Sequence, residues 1–276
     1  MTTRRLRLAG ATLGVLGASM IAGRATAQTA EGFALDRFEP AEVGSEWFAG
    51  DSLDFRGDQR WSFGVLGDWS YKPLVAYDAQ GDETHAVVRH QIFAHLGAAV
   101  VLQERYRLAL DVPILALERG RATTLDGVVY DPSNKAAFGD PRLAADVRFL
   151  GKYGGPLTAS AGLAVYLPVG SQAAYASDGK LRLVPRLMAA GDVAWFTYAG
   201  RLSTNIRTQT DNFAGQPFGT EMQLEASAGV RTAEGKLVIG PELFGSTVLA
   251  DGGKGAFDKR TTPFELLFGA HYRAGD

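Results

Sequence analysis

Apolar and polar side chains alternate one for one along most of this chain, most regularly over residues 193–231. In the first half of that stretch Phe196, Tyr198, Leu202 and Ile206 fall on one face, while Thr197, Arg201, Ser203, Asn205 and Arg207 fall on the other. After a gap rich in Gly, Pro and Asn, Met222, Leu224, Ala226, Ala228 and Val230 oppose Glu221, Gln223, Glu225, Ser227 and Arg231. A period of two is the signature of a β-strand, so the stretch predicts a long antiparallel hairpin. Each arm is long enough to cross a bilayer, which takes about 9–11 tilted residues.

The same alternation predicts eight further strands, over residues 61–77, 85–102, 105–115, 140–150, 157–168, 181–190, 237–248 and 263–273. In the first, Phe63, Val65 and Trp69 oppose Ser62, Asp68 and Ser70; in the second, Val88, Ile92, Leu96 and Val100 oppose Arg89, Gln91 and His95. Connections alternate in length. Gln103-Glu104, 152–156, Gly191-Asp192 and 233–236 read as tight turns, and 78–84, 118–138, 170–180, 208–219 and 249–262 as longer polar loops. Short turns at one end and long loops at the other are the habit of outer-membrane barrels. The fold class this predicts is all-β, an antiparallel up-and-down transmembrane β-barrel with about ten strands present. The apolar face is expected to meet lipid and the charged face a lumen. A soluble lipocalin-like barrel or a β-sandwich also alternates, but it would need an apolar interior and no strands of bilayer length.

Composition adds boundaries. Residues 1–27 read as a signal peptide: Arg4, Arg5 and Arg7 precede an apolar stretch rich in Gly and Ala, and Ala25-Thr26-Ala27 forms a small-residue cleavage site. The remaining chain carries 24 basic and 30 acidic side chains, because four of the 28 Lys and Arg and none of the 30 Asp and Glu lie before residue 28. That mildly acidic balance offers no footprint for nucleic acid. The absence of cysteine excludes disulfides and thiolate metal sites. No further run of 18 apolar residues predicts a transmembrane helix, so a membrane-spanning form must be a barrel. Residues 28–57 are acidic and aromatic without a period, and read as a periplasmic lead-in with part of it in the barrel mouth, or as a flexible tail, before a barrel over 58–276.

Candidate chemistry is sparse. His85, His90 and His95 are spaced by fives, which puts neighbours on opposite faces of a strand, so they cannot share a metal. The Gly-rich stretch 251–255 lacks the strand–loop–helix setting of a phosphate loop. No cofactor, metal or catalytic group is expected. The charges expected in the lumen are the functional candidates: Arg107, Asp111, Arg142, Asp146, Arg148, Arg182, Arg186, Arg201, Glu221 and Glu225, with Arg89, Arg105 and Glu265 beside them. Arg201 is expected to face Glu225, and Arg107 or Asp111 to face Asp146 or Arg148. Paired charges would fill a narrow barrel, whereas unpaired arginines would bias a pore toward anions.

The stretch Phe33-Ala-Leu-Asp-Arg-Phe-Glu-Pro40, with Gly44-Ser-Glu-Trp-Phe48 and Asp51-Ser-Leu-Asp54, resembles the start of the barrel in a group of OmpA-family outer-membrane proteins. So does Phe138-Gly-Asp-Pro-Arg-Leu143 with Leu167-Pro-Val-Gly170. The Gly-Asp-Pro-Arg-Leu stretch is also similar to putative outer-membrane transporters of phenol-degradation pathways. In the OmpA group the barrel precedes thrombospondin type 3 repeats and a peptidoglycan-binding domain, neither of which occurs in this chain. It stops at Ala274-Gly-Asp276, a tripeptide also found at Ala190-Gly-Asp192, and its last aromatic is Tyr272. A barrel truncated one hairpin short of twelve strands is the first expectation, and a complete ten-stranded barrel the second.

The resemblance implies a non-enzymatic envelope protein in the outer membrane with a structural or anchoring role. Its partners would be outer-membrane lipid and the barrel-insertion machinery, with peptidoglycan reached only through a domain absent here. Passive passage of small solutes is the second reading, and a soluble periplasmic ligand-binding barrel the third. If the lumen conducts, charge reversal of Arg182 and Arg186 changes ion selectivity in planar bilayers; unchanged selectivity would count against a role for them.

Overall fold

The computed structural model describes residues 28–77, 80, 82–125, 128–208, 211–213, 216–232, 234–249, 257 and 262–274. The signal-peptide reading of residues 1–27 and the Gly-rich stretch 251–255 lie outside the described residues. Ten long strands follow one another in space as they do in sequence: β1 (Gln59–Tyr77), β2 (Glu83–Leu102), β3 (Tyr106–Gly120), β4 (Arg142–Leu150) and β5 (Thr158–Tyr166). Then come β6 (Arg182–Val193), β7 (Phe196–Arg207), β8 (Glu221–Thr232), β9 (Leu237–Val248) and β10 (Phe264–Tyr272). Every neighbouring pair is antiparallel. The sheet curls through 305°, which leaves 360 minus 305, or 55°, as a seam between β1 and β10.

The tight turns fall near their predicted places. Gln103 and Glu104 both take positive φ and Arg105 N–H closes the turn onto the Leu102 carbonyl, the left-handed hairpin turn that suits strand twist. One turn moves: the sixth strand does not end at Ala190. Gly191 and Asp192 stay in the ladder opposite Tyr198 and Thr197, and the reversal occurs at Ala194-Trp195. A second correction concerns Val88, predicted on the outer face. Beyond irregularities in register between Val88 and His90 and next to Leu74, it lies fully buried inside, packed with Leu35 and Tyr175. A bulge shifts the parity of a strand, so simple counting past it fails.

The convex surface is apolar. Phe63, Val65, Leu187, Leu202, Leu224, Leu266 and Phe268 all point outward, and Phe268 is 76% exposed. Outward aromatics gather at both ends, Trp61, Tyr106, Trp195 and Tyr272 near the short turns and Trp69 and Tyr71 toward the long loops. Trp61 and Tyr71 are ten residues apart, about 33 Å of strand and about 25 Å of height at a tilt of roughly 40°.

The concave side is filled by residues 28–57. At the long-loop end Gln28–Thr29 pairs in parallel with Val128–Tyr130, which pairs in turn with Thr123–Leu125. At the opposite end Gln59 begins β1 beside the first tight turn. The intervening segment must therefore run the length of the interior. The expected periplasmic lead-in, with part of it in the barrel mouth, is instead an interior segment along the concave face. Trp47, Leu53 and Phe55 form a core with Val101, Met188, Ala199 and Val238. Small concave residues make the room: a Cβ built on Gly64 or Gly97 would press on Val43, and one on Gly229 on Trp47.

Candidate functional site

The interior segment bends sharply at residues 45–50, after Gly44 at φ +100. The Ser45 hydroxyl ties the bend internally, to Trp47 N–H, Ser52 N–H and the Gly50 carbonyl, and one wall side chain anchors it. The Glu242 carboxylate, on β9 and almost fully buried, accepts from the backbone N–H groups of Phe48 (2.8 Å), Ala49 (2.8 Å) and Gly50 (3.0 Å), and from Ser227 Oγ (3.1 Å). Successive backbone N–H groups around one carboxylate form an anion nest, here with the anion supplied by the barrel wall.

The arginines of the wall are met from the segment in turn. Arg107 on β3 holds Asp146 across the ladder (2.8 Å) and forks onto both oxygens of Asp51 (2.7 and 3.1 Å). Arg186 on β6 bridges Asp146 and Glu42, each at 2.8 Å. Arg142 on β4 donates to the Pro40 carbonyl (2.9 Å) and lies 3.4 Å from Glu42. Arg201 pairs with Glu225, its register partner on β8, and reaches Glu39. Nearer the short turns Glu46 takes Arg231 and Arg273 at 2.7 Å each and accepts from the Tyr153 hydroxyl. Nearer the long loops Asp178 takes Arg182 (3.3 Å) and Arg207 (2.9 Å), and Glu221 takes Arg207 (3.0 Å).

Nine of the ten expected lumen charges are thus buried on the concave face: Arg107, Asp111, Arg142, Asp146, Arg182, Arg186, Arg201, Glu221 and Glu225. Arg148 is not among them. In register with the buried Ser160 it keeps the concave side, but it sits half-buried at the short-turn rim and binds the carbonyls of Glu104 and Gly151. Arg89 and Arg105 are also exposed. The expected pairs Arg201–Glu225 and Arg107–Asp146 form.

The carboxylates of the segment were missed, since nothing local marks Glu39, Glu42, Glu46 or Asp51 as inward. So was the setting of His95, which meets no other histidine but three aspartates, Asp36, Asp68 and Asp111. His90 lies on the outer face, as its strand parity required, stacked with Trp69.

Burial alone would raise the pKa of the Glu42 carboxyl. The guanidinium groups of Arg142, Arg186 and Arg107 outweigh that and hold it at about 2. Asp54 is likewise held at about 2, burial being overcome by hydrogen bonds from Arg56 and Arg60. Glu39 and Glu46 are shifted down in the same way, by Arg201 and by Arg231 respectively. Asp36 goes the other way, pushed to about 8 by burial and the neighbouring Asp68 charge.

No protein-family model matches the chain, and no curated protein is significantly similar to it.

Carboxylates with depressed pKa values stabilise the docked segment above their unfolded values, and that contribution is lost as pH falls through the folded ones. The contribution of Asp36 has the opposite sign but changes only between 3.8 and about 8. Acidification from pH 4 to 2 is therefore expected to release the segment. The check is a red shift of Trp47 emission with new protease cleavage between residues 30 and 56. Unchanged protection at pH 2 would contradict the role given to these ion pairs.

Proposed function

We propose that this chain is an outer-membrane β-barrel with a structural, anchoring role in the cell envelope, non-enzymatic, and OmpA-like in type. The observation that carries this reading is the polarity of the sheet: an apolar convex band between two groups of aromatics, around an interior of paired charges. Soluble domains rarely expose contiguous apolar patches beyond a few hundred Å², and in water this surface would be costly. In lipid it is the expected surface. A bilayer also requires every backbone group to be satisfied, so β1 and β10 are expected to pair across the seam once inserted. Outer-membrane lipid and the barrel-insertion machinery are the proposed partners.

The filled interior favours anchoring over transport. The segment occupies the lumen along its length, and its carboxylates neutralise the arginines that would otherwise select anions. The passive-transport reading keeps one observation on its side, a polar cavity beside Glu39 lined by Arg182, Asn205, Glu221, Gln223 and Glu225.

Two measurements test the proposal. The intact chain in planar bilayers is expected to give no steady conductance; a persistent open channel would favour transport instead. Leu187→Arg, in the middle of β6 on the convex face, is expected to cost about 2–4 kcal/mol of stability in vesicles, as for a cation at the bilayer midplane. A change within about 0.5 kcal/mol, as on a water-exposed surface, would remove the lipid-facing assignment.

A further inference from the structure

One corner of the interior breaks the rule followed elsewhere. Asp68 on β1, His95 on β2 and Asp111 on β3 are diagonal neighbours on the concave face, since Asp68 is in register with Phe93, and Asp111 with Gly97. His95 Nε2 lies 3.1 Å from Asp68 Oδ2 and 3.9 Å from Asp36 Oδ2, and Nδ1 lies 2.9 Å from Asp111 Oδ2. Among the described residues no guanidinium forms an ion pair with Asp36 or Asp68. Glu265 on β10, across the seam, adds a further negative charge that both aspartates feel. One imidazole thus meets three carboxylates, and Asp68 Oδ1 is buried without a hydrogen-bond partner.

We infer that Asp36, Asp68 and His95 form a site for a divalent first-row transition-metal ion, with Zn²⁺ the ion tested first. The three donor atoms lie within 4.8 Å of one another. Ligand bonds of about 2.1 Å in a tetrahedral site place donors about 3.4 Å apart, so the set needs only a small contraction. Asp111 is a positioning residue. By accepting from Nδ1–H it fixes the tautomer that turns the Nε2 lone pair toward the two aspartates, the arrangement usual for metal-bound histidine. An imidazole donor favours transition ions over Ca²⁺ and Mg²⁺, which prefer oxygen ligands. Binding exchanges the Nε2 proton, and at neutral pH that of the Asp36 carboxyl, for the cation and releases both to solvent. The consequence is a tie between β1, β2 and the interior segment beside the open seam.

The test is calorimetric titration of the chelator-treated, detergent-folded chain with Zn²⁺, with Ca²⁺ and Mg²⁺ as controls, and with Co²⁺ as a spectroscopic probe. One Zn²⁺ per chain is expected, bound at least tenfold more tightly than Ca²⁺. His95→Gln and Asp68→Asn are expected to abolish the site, and Asp111→Asn to weaken it by about 10–100-fold. His90→Gln, on the outer face, is expected to change nothing. The unaltered chain with Co²⁺ is expected to show saturable visible absorbance of a low-symmetry site, which keeps the test decisive if a variant fails to fold. No saturable Co²⁺ spectrum, or Zn²⁺ binding unaffected by His95→Gln in a folded variant, would overturn the site and leave His95 as a protonated counter-ion.

Discussion

A buried guanidinium needs a carboxylate, and the interior of this protein is arranged around that requirement. Arg107, Arg142, Arg186 and Arg201 project from four different strands into a space nearly closed to water. Leaving one such charge unpaired costs about 3–5 kcal/mol. The wall supplies only part of the answer, through Asp146 and Glu225. The rest comes from Glu39, Glu42 and Asp51 on a segment without regular secondary structure. Wall and segment are each incomplete alone. Buried ion pairs contribute little net stability over apolar packing, so their effect here is to fix where the segment lies.

The small residues of the concave face follow from the same constraint. Gly64, Gly97 and Gly229 are spaces into which Val43 and Trp47 fit, and Glu242 reaches between them to gather three backbone N–H groups. A barrel of this width with large inward side chains would exclude a second layer of chain. One with small side chains and no segment would hold water around exposed arginines. The loop at residues 170–178 completes the filling at the long-loop end, where Asp178 accepts from Ala34 N–H and the Tyr175 carbonyl from Leu35 N–H. Polarity is therefore reversed relative to a water-soluble barrel: charges inside, apolar side chains outside.

How much of this could be seen in the sequence depended on whether the cause was local. The ten strands were legible because alternation is a local consequence of a sheet with two unlike faces. Val88 was misplaced where a bulge breaks the count, whereas Arg148 kept its side and lies at the rim, beyond the segment's carboxylates. The cross-strand pairs Arg201–Glu225 and Arg107–Asp146 could be anticipated because neighbouring strands set their register. The interior segment could not, because it has no period of its own. Glu42 is positioned by Arg186, 144 residues away, and the Phe48 N–H by Glu242, 194 residues away. The setting of His95 was hidden for the same reason: only assembly of β1, β2, β3 and the segment brings its partners together.

The central claim, that residues 28–57 lie threaded along the concave face, can be tested by one crosslink. The chain has no cysteine, and a Cβ at position 97 would stand 3.7 Å from that of Val43, close to the roughly 3.8 Å mean for a disulfide. A Val43→Cys, Gly97→Cys double variant, folded in detergent micelles and mildly oxidised, is expected to close this bond almost completely and to run at altered mobility without reductant. Two freely alkylated thiols in a folded, β-rich sample would place the segment elsewhere and contradict the claim.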